Sequence, residues 1–341
     1  MKSVSCMALW VSVAIAALTL GAVTPLKARS EMEDRIKKSF PVDSGGQLTL
    51  ETDRGSIEVH AVDTQVLEVE VIRKVDARDR EEADEILKDF EIEFTQRGND
   101  VYIRGAIKEE RRSFWDRFLD TDWRRLRVRY VVSVPKQYNV DLRTAGGSIS
   151  VDDLEGEVHG RTSGGSLRFG RIQGPVWGRT SGGSITLEGG VGTADLKTSG
   201  GSIKIGEVDG TVTAHTSGGS IGIDRAKGRV VAKTSGGSIA VEEVMGAIEA
   251  KTSGGTVKAR ISRQPQDSCR LETSGGSVVV YLADSVAVDV EAKTSGGRVV
   301  TELPVTVQGE LSKTALQGKI NGGGPKLILR TSGGNIRLQK M

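Results

Sequence analysis

The sequence predicts an all-β protein, a parallel β-solenoid of about eleven coils of 18–21 residues with an N-terminal α/β cap. Three observations predict this fold. The motif Thr-Ser-Gly-Gly occurs nine times in 341 residues. Apolar residues alternate with polar ones on both sides of the motif, and aromatic residues make up only 4% of the chain. A stack of thin coils needs few large side chains, because each coil covers the next.

The repeat keeps a constant period over most of its length. Successive repeat threonines are eighteen residues apart up to Thr252, and the later intervals are 21, 21, 20 and 17 residues. The repeat threonines are Thr144, Thr162, Thr180, Thr198, Thr216, Thr234, Thr252, Thr273, Thr294, Thr314 and Thr331. Thr314, in "TALQG", begins a degenerate copy. These intervals define the coils that we expect to stack.

Each unit, numbered from its threonine, predicts two short strands. Places 6 and 8 are apolar, as is place 15, and a period of two indicates a strand. Glycines occupy places 3, 4 and 13, where a corner needs either a positive φ or a close backbone approach. We therefore interpret "TSGGS" as the corner of a coil. We expect the threonine to point inward and its hydroxyl to bond a stacked neighbour.

Two other folds were weighed against the solenoid. Each "SGG" could close an antiparallel hairpin, which would give a meander or a propeller. A left-handed hexapeptide helix also has eighteen-residue coils, but its apolar residue recurs every six residues. Place 12 of this repeat holds Glu, Gln, Val, Asp, Lys and Met in successive units, which does not fit that helix.

Residues 30–143 are predicted to form the N-terminal cap, and residues 144–341 the repeat domain. Strands are predicted in "LTLETDRGSIEVHAV", "VLEVEVIRKV" and "LRVRYVVSVP", and a hairpin near Gly98. The segment Arg80–Phe90 has the apolar spacing of an amphipathic helix. A helix laid over the first coil would cover an otherwise open sheet edge.

Residues 1–29 are predicted to be a signal peptide or an uncleaved N-terminal anchor. Lys2 precedes the apolar run Met7–Leu20, which is the order of a secretory signal. Both interpretations export the rest of the chain to the periplasm, the cell surface or the medium. Cys269 is the only cysteine beyond this segment, so no internal disulfide is expected there, and a buried apolar role is predicted for it.

The segments "LTLETDRGSIEV", "REEADEILKDF" and "VSVP", followed by serial "TSGGSI", cover roughly residues 40–341. In this layout the chain resembles the bacterial putative-adhesin family of exported β-strand-repeat proteins. The resemblance implies a repeat architecture and a surface-binding role, and it brings no catalytic residues. One segment departs from the family layout, the insertion "KEERRSFWDRFLDTDWRR" at Lys108–Arg125.

No arrangement in the sequence indicates catalysis or a metal site. His60, His159 and His215 do not have metal-ligand spacing. We found no place in the repeat that concentrates carboxylates, so we predict that the chain is not an enzyme and has no cofactor and no metal. A polysaccharide-active enzyme is the third function considered, because solenoids can gather carboxylates from stacked coils. A net charge of +2 gives no reason to expect nucleic-acid binding.

Basic residues stand before nearly every repeat threonine. If place 17 points inward, place 18 points outward, and the basic side chains stack at strand spacing. The candidate ligand-binding residues are Arg161, Arg179, Lys197, His215, Lys233, Lys251, Lys293, Lys313 and Arg330. We expect such a ladder to bind an acidic polysaccharide or a lipopolysaccharide phosphate. The alternative is that the charges only keep a sheet edge soluble.

The insertion carries a second candidate site. Phe114, Trp115, Phe118 and Trp123 alternate with arginines, as in a helix that contacts an anionic membrane or a partner. The alternative is that these rings fold back over the end of the solenoid as part of the cap.

Together these features predict a non-catalytic, exported, adhesin-like envelope protein that binds an extended ligand, such as an anionic glycan, through the solenoid face. The second function considered is a self-assembling structural element. In that case homo-oligomers would form through an uncapped C-terminal coil, "NIRLQKM".

Overall fold

In the computed structural model, which describes residues 29–108 and 125–341, the chain forms two fifteen-stranded sheets around one continuous apolar core. Sheet A contains, in spatial order, β1 (Ser30–Pro41), β4 (Val66–Ala77), β7 (Leu126–Pro135), β3 (Ser56–Val62), β9 (Ile149–Val151), β12 (Leu167–Gln173), β14 (Ile185–Val191), β16 (Ile203–Asp209), β18 (Ile221–Ala226), β20 (Ile239–Val244), β22 (Val257–Ile261), β24 (Val278–Leu282), β30 (Ile336–Lys340) and β26 (Val299–Thr301), with β10 (Leu154–Glu155) beside β12.

Sheet B is built in the same way from the other half of each coil. It contains, in spatial order, β5 (Phe90–Arg97), β6 (Asp100–Ile107), β2 (Gln47–Thr52), β8 (Asn139–Thr144), β11 (Val158–Thr162), β13 (Val176–Arg179), β15 (Ala194–Lys197), β17 (Val212–His215), β19 (Val230–Lys233), β21 (Ile248–Lys251), β23 (Cys269–Thr273), β29 (Lys326–Thr331), β25 (Val288–Thr294), β28 (Ala315–Ile320) and β27 (Thr306–Leu311).

Each repeat is one turn of a parallel solenoid, as the sequence predicts. A strand of sheet B ends at the repeat threonine or one residue before it, the chain turns through "SGGS", and a strand of sheet A follows. Equal places pair in parallel register, so that Ile185 lies beside Ile203 and Ala194 beside Val212. Inward residues of both sheets are buried and outward residues are exposed. The same two sheets continue on both sides of residue 144, because β8 pairs with β2 as well as with β11.

The threonine of the corner points inward, as predicted, and links neighbouring coils. Thr198 is buried, and its hydroxyl donates to the Gly183 carbonyl of the preceding coil over 2.7 Å. The same oxygen accepts the amide N–H of Gly201 in its own coil at 3.4 Å. Outside the core, the Ser202 amide donates to the Ser184 hydroxyl at 3.2 Å. Side-chain hydroxyls therefore add to the backbone hydrogen bonds between coils where the backbone turns, such as that from the Gly200 amide to the Ser181 carbonyl at 2.9 Å.

The second glycine of the corner is required by close packing of backbones. A Cβ placed on Gly183 would lie 2.1 Å from the carbonyl oxygen of Gly165, the equivalent residue of the previous coil. This glycine is not among those with a positive φ. Of the two reasons that the sequence offered for it, close approach is therefore the one that applies.

A short helix stands at the N-terminal end of the stack. Helix α1 (Arg80–Lys88) connects β4 in sheet A to β5 in sheet B. Asp79 caps the helix, because its carboxylate accepts a hydrogen bond from the backbone amide of Glu82 at 3.1 Å. Ala83 and Ile86 are the buried residues of the helix. The prediction of this helix is confirmed, although it ends earlier than predicted because Phe90 begins β5 and is itself buried.

The order of the coils in space differs from their order in the chain at both ends. At the N-terminal end, β2 lies between β6 and β8, and β3 lies between β7 and β9. At the C-terminal end, β29 lies between β23 and β25, and β30 lies between β24 and β26. The corner hydrogen bonds follow the spatial order, since the Thr294 hydroxyl donates to Gly334, forty residues later.

Two predictions about the C-terminal region are therefore wrong. The segment "NIRLQKM" is not an uncapped last coil, because β30 has a parallel neighbour on each side. Thr314 is not a coil corner, because residues 306–320 form the antiparallel pair β27–β28, which packs beside β25. The outer C-terminal edge consists of β26 in sheet A and β27 in sheet B.

Within residues 29–108 and 125–341, no helix has the length and apolar character needed to cross a bilayer. The predicted signal or anchor segment lies outside the described residues, apart from its last residue. The predicted contact residues Phe114, Trp115, Phe118 and Trp123 also lie outside them, and both predictions stand as predictions.

Candidate binding face on sheet B

Seven basic side chains stack in register on the outer face of sheet B. We call them the cation column, and they are Arg143, Arg161, Arg179, Lys197, His215, Lys233 and Lys251. Each is carried by the last or next-to-last residue of its strand. The seven strands are consecutive neighbours in sheet B, from β8 to β21, so consecutive side chains are about 4.8 Å apart along the sheet. A carboxylate pairs with each end of the column, Glu51 beside Arg143 and Glu272 beside Lys251.

The structure brings together six of the nine residues predicted for the ladder. Arg330 and Lys293 lie beyond Glu272 in that spatial order. Lys313 does not belong to the ladder, because it precedes β28 in an antiparallel hairpin instead of ending a coil strand. Arg143 was missed, although it precedes Thr144 and the same rule would have found it.

The cations differ in how far they are neutralised. The Arg179 guanidinium bonds the Asp195 carboxylate at 2.5 Å and its carbonyl oxygen at 2.6 Å. Lys233 pairs with Glu249 at 2.6 Å. In the described part of the chain, no ion pair is formed by Arg161 or Lys197, and both are exposed. Arg161 and Lys197 are therefore the cations most available to a ligand.

Arg143 and Lys251 mark the two ends. Arg143 bonds Glu51 at 2.7 Å and Asp141 at 2.8 Å, whereas Lys251 is 3.7 Å from Glu272. Exposed pairs of this kind contribute little to stability. They do, however, limit the positive field to the middle of the column.

The pKa of His215 is lowered by its burial and by its charged neighbours. Burial lowers the pKa of its imidazole below the usual 6.5, and the positive charges of Lys197 and Lys233 lower it further. The ring is therefore mainly neutral near pH 7, so His215 adds little positive charge to the column at that pH. The two adjacent lysines raise the local potential enough to oppose a third charge between them.

A second outward column runs beside the first, two residues earlier in each strand. We call it the companion column, and it consists of Asp141, His159, Trp177, Asp195, Thr213, Val231 and Glu249. Over these seven coils, the three carboxylates of the companion column face six permanent cations. The rings of His159 and Trp177 are in contact, with centroids 4.4 Å apart and planes tilted by 43°.

On the other side of the cation column lies a ridge of exposed corner serines. The chain passes from each cation through the inward threonine to an outward serine, as in Arg161, Thr162 and Ser163, except at Arg143, where the residue after the threonine is Ala145. Shallow grooves between the two rows occur at both ends of the column. One is lined by Glu51, Arg104, Arg143, Arg161 and Ser163, and the other by Lys251, Glu272, Ser274, Lys293, Arg330 and Ser332.

The remaining candidate groups do not assemble into a reaction centre. His60 bonds the Asp152 carboxylate at 2.8 Å on the exposed face of sheet A. Among the described residues, no group of three or more His, Cys, Asp or Glu side chains could hold a metal ion. Cys269 is buried, as predicted, and burial raises the pKa of its thiol. That the chain is not an enzyme stays a prediction.

A solenoid of two long, mainly parallel sheets defines the class of this protein. Its sequence matches the model of the Toastrack DUF4097 family over residues 46–339. The chain belongs to that family, and the family resemblance predicted from the sequence is confirmed. A comparison with curated proteins gives no match.

Solved bacterial structures share low sequence identity with this chain. A putative cell adhesion protein from Clostridium sporogenes is 12% identical, with 92% of this chain and 100% of that chain covered and a TM-score of 0.20. A putative adhesin from Parabacteroides distasonis is 12% identical, with 90% and 97% covered and a TM-score of 0.38. A putative lipid binding protein from the same species is 11% identical, with 89% and 96% covered and a TM-score of 0.35.

Proposed function

We propose that this protein is a non-catalytic, exported, adhesin-like protein of the bacterial envelope that holds an extended polyanion along the cation column. The observation that carries the proposal is the uninterrupted register of seven basic side chains, from Arg143 to Lys251. Rows of like charge repel one another and do not stabilise a sheet. The stability of the fold therefore does not explain the row of basic residues, and binding of an anionic ligand does.

The geometry suits a long ligand better than a small one. Charges about 4.8 Å apart lie within the Debye length of about 8 Å at physiological salt, so that their fields add. A linear polyanion that follows the column would replace several counterions at once. The exposed hydroxyls of the corner serines stand alongside as hydrogen-bond donors and acceptors. The surface therefore presents charge and hydrogen bonds along one line.

The proposal is tested by removing the two cations that have no ion-pair partner in the described residues. The double variant Arg161→Gln and Lys197→Gln should weaken binding of polygalacturonate and of polyphosphate to the full chain. Each lost contact should also reduce the slope of log K against log salt by about 0.7. Binding is measured by titration calorimetry at several salt concentrations.

A matched control exists on the opposite sheet. Arg168→Gln and Lys204→Gln remove the same charge from two exposed residues, also separated by two coils, on sheet A. This control should bind both polyanions as well as the parent does. Equal weakening in both double variants would show a general charge effect and refute the column. Failure of the parent to bind either polyanion at low salt would also refute it.

The second candidate function, self-assembly, is favoured by a different surface. At the outer C-terminal edge, Val300, Val307 and Leu311 are 50%, 41% and 67% exposed. Edge strands with apolar side chains are templates for pairing with another chain. We propose that a second copy pairs here, and not at "NIRLQKM". Sedimentation velocity should show concentration-dependent association of the parent that Leu311→Lys abolishes, and a parent that stays monomeric would contradict it.

A further inference from the structure

The aromatic pair in the companion column identifies the kind of polyanion. Trp177 is the only tryptophan among the described residues, and its side chain is partly exposed on the outer face of sheet B. The core of these coils is thin, and Phe169 is the large ring buried in it. Trp177 faces outward and does not fill the core. Its position beside the cation column therefore calls for a role at the surface.

The contacts of Trp177 hold its ring in place. His159, on the preceding strand, contacts it with ring centroids 4.4 Å apart. His159 is itself fixed by a bond of 2.6 Å between its Nε2 and a Glu157 carboxylate oxygen. On the following strand, Asp195 is held by Arg179 at 2.5 Å. The Trp177 ring is thus in contact with an anchored imidazole on one side, and its register neighbour on the other side, Asp195, is held by Arg179.

The two available cations flank this ring. Arg161 lies on the strand before Trp177 and Lys197 on the strand after it, and the two are separated by about 10 Å along the sheet. That distance is close to the length of an extended disaccharide. The ring stands beside the line that joins these two cations, in the companion column and on the strand of Arg179. It offers an apolar surface for the C–H face of a sugar, and the cations offer opposite charge for acidic groups on each side.

We propose that Trp177, supported by His159, is a stacking subsite for a pyranose ring of an acidic polysaccharide, and that Arg161 and Lys197 bind carboxylate or sulfate groups of the flanking sugars. This inference rests on the proposed function and specifies its ligand. A polyphosphate or a phosphate-rich lipid surface would use the cations and gain nothing from the indole.

The test compares two probes on the full chain. Trp177→Ala should lower the affinity for polygalacturonate about tenfold, which corresponds to the loss of one good stacking contact, and leave the affinity for polyphosphate within about twofold. Trp177→Phe should retain most of the affinity for polygalacturonate, because a flat ring remains. Val231→Ala, an outward truncation in the same column three coils away, should change neither affinity.

The outcomes separate this inference from the proposed function. If the parent binds both probes and Trp177→Ala changes both or neither, the stacking subsite is refuted while the cation column stands. If the parent binds neither probe, the column and the subsite fail together. An unchanged far-ultraviolet circular dichroism spectrum and urea midpoint for Trp177→Ala would show that a loss of affinity is not a loss of fold.

Discussion

The hydroxyl of each corner threonine should stabilise the stack, and Thr198→Val tests it. Thr198 lies in the middle of the regular coils and is 6% exposed. Its hydroxyl donates to the Gly183 carbonyl at 2.7 Å and accepts the Gly201 amide at 3.4 Å. Valine has nearly the same shape, so the substitution removes both hydrogen bonds without opening a cavity.

The expected cost follows from the burial of the groups left behind. The Gly183 carbonyl is partly buried, and leaving it without its donor should cost about 1–3 kcal/mol. The long Gly201 contact adds little. Thr198→Ser is the complementary variant, since it keeps the hydroxyl and loses one methyl group, at about 1 kcal/mol. We therefore expect the valine variant to be the less stable of the two.

Repeat proteins can unfold in parts, so a global midpoint alone is insufficient. Urea unfolding should be combined with hydrogen exchange of the peptides that contain residues 183 and 201. Loss of protection should centre on these two corners and fade with distance along the stack. A valine variant as stable as the parent, with unchanged exchange at both corners, would refute the structural role of the hydroxyl.

Three further outcomes are expected. Gly147→Ala should destabilise the protein strongly, because the new Cβ would lie 1.9 Å from the Gly55 carbonyl oxygen. Gly146→Ala should be tolerated, because no atom lies within 4 Å of the position of its Cβ. Thermal unfolding compares the two variants. Deleting residues 198–215 should leave a folded, shorter solenoid by circular dichroism, whereas deleting only the first nine of them should not, since half a coil exchanges the two sheets. Folding lowers the pKa of His215, so the unfolded state binds the imidazole proton more tightly, and the free energy of unfolding should fall as the pH drops below 6.5. His215→Gln should lose this part of the pH dependence, as measured by urea midpoints between pH 8 and pH 5.

The regular coils could be predicted from the sequence because every place in the unit has one environment. The alternation at Ile185 and Leu187 specifies a strand, and the fixed interval specifies its register with Ile203 and Ile205. The same interval placed Arg179 beside Lys197. A strict repeat therefore predicts both the core and the columns on the surface.

The ends could not be predicted, because their order depends on contacts between segments with no fixed interval. Nothing in the spacing of Thr294 and Thr331 indicates that the coil of Thr331 is placed in the stack between the coils of Thr273 and Thr294. "TALQG" also keeps the threonine of the motif but lacks its two adjacent glycines, so a hairpin replaces the corner. The pairing of Trp177 with His159 was missed for another reason, since place 16 varies from coil to coil and shows no pattern.

The inward position of the coil of residues 326–340 has a consequence for the order in which the coils can assemble. Strand β25 pairs in parallel with β29, and β26 with β30, so the coil of residues 288–301 has no parallel place to dock until residues 326–340 have been made. A chain that stops early is therefore not a shorter version of the same rod. It leaves β23 and β24 open on one side and the next coil without a parallel neighbour, although β25 keeps its antiparallel pairing with β28. Residues 326–340 are therefore needed to complete the stack, because they supply a parallel neighbour to the coils on both sides of them.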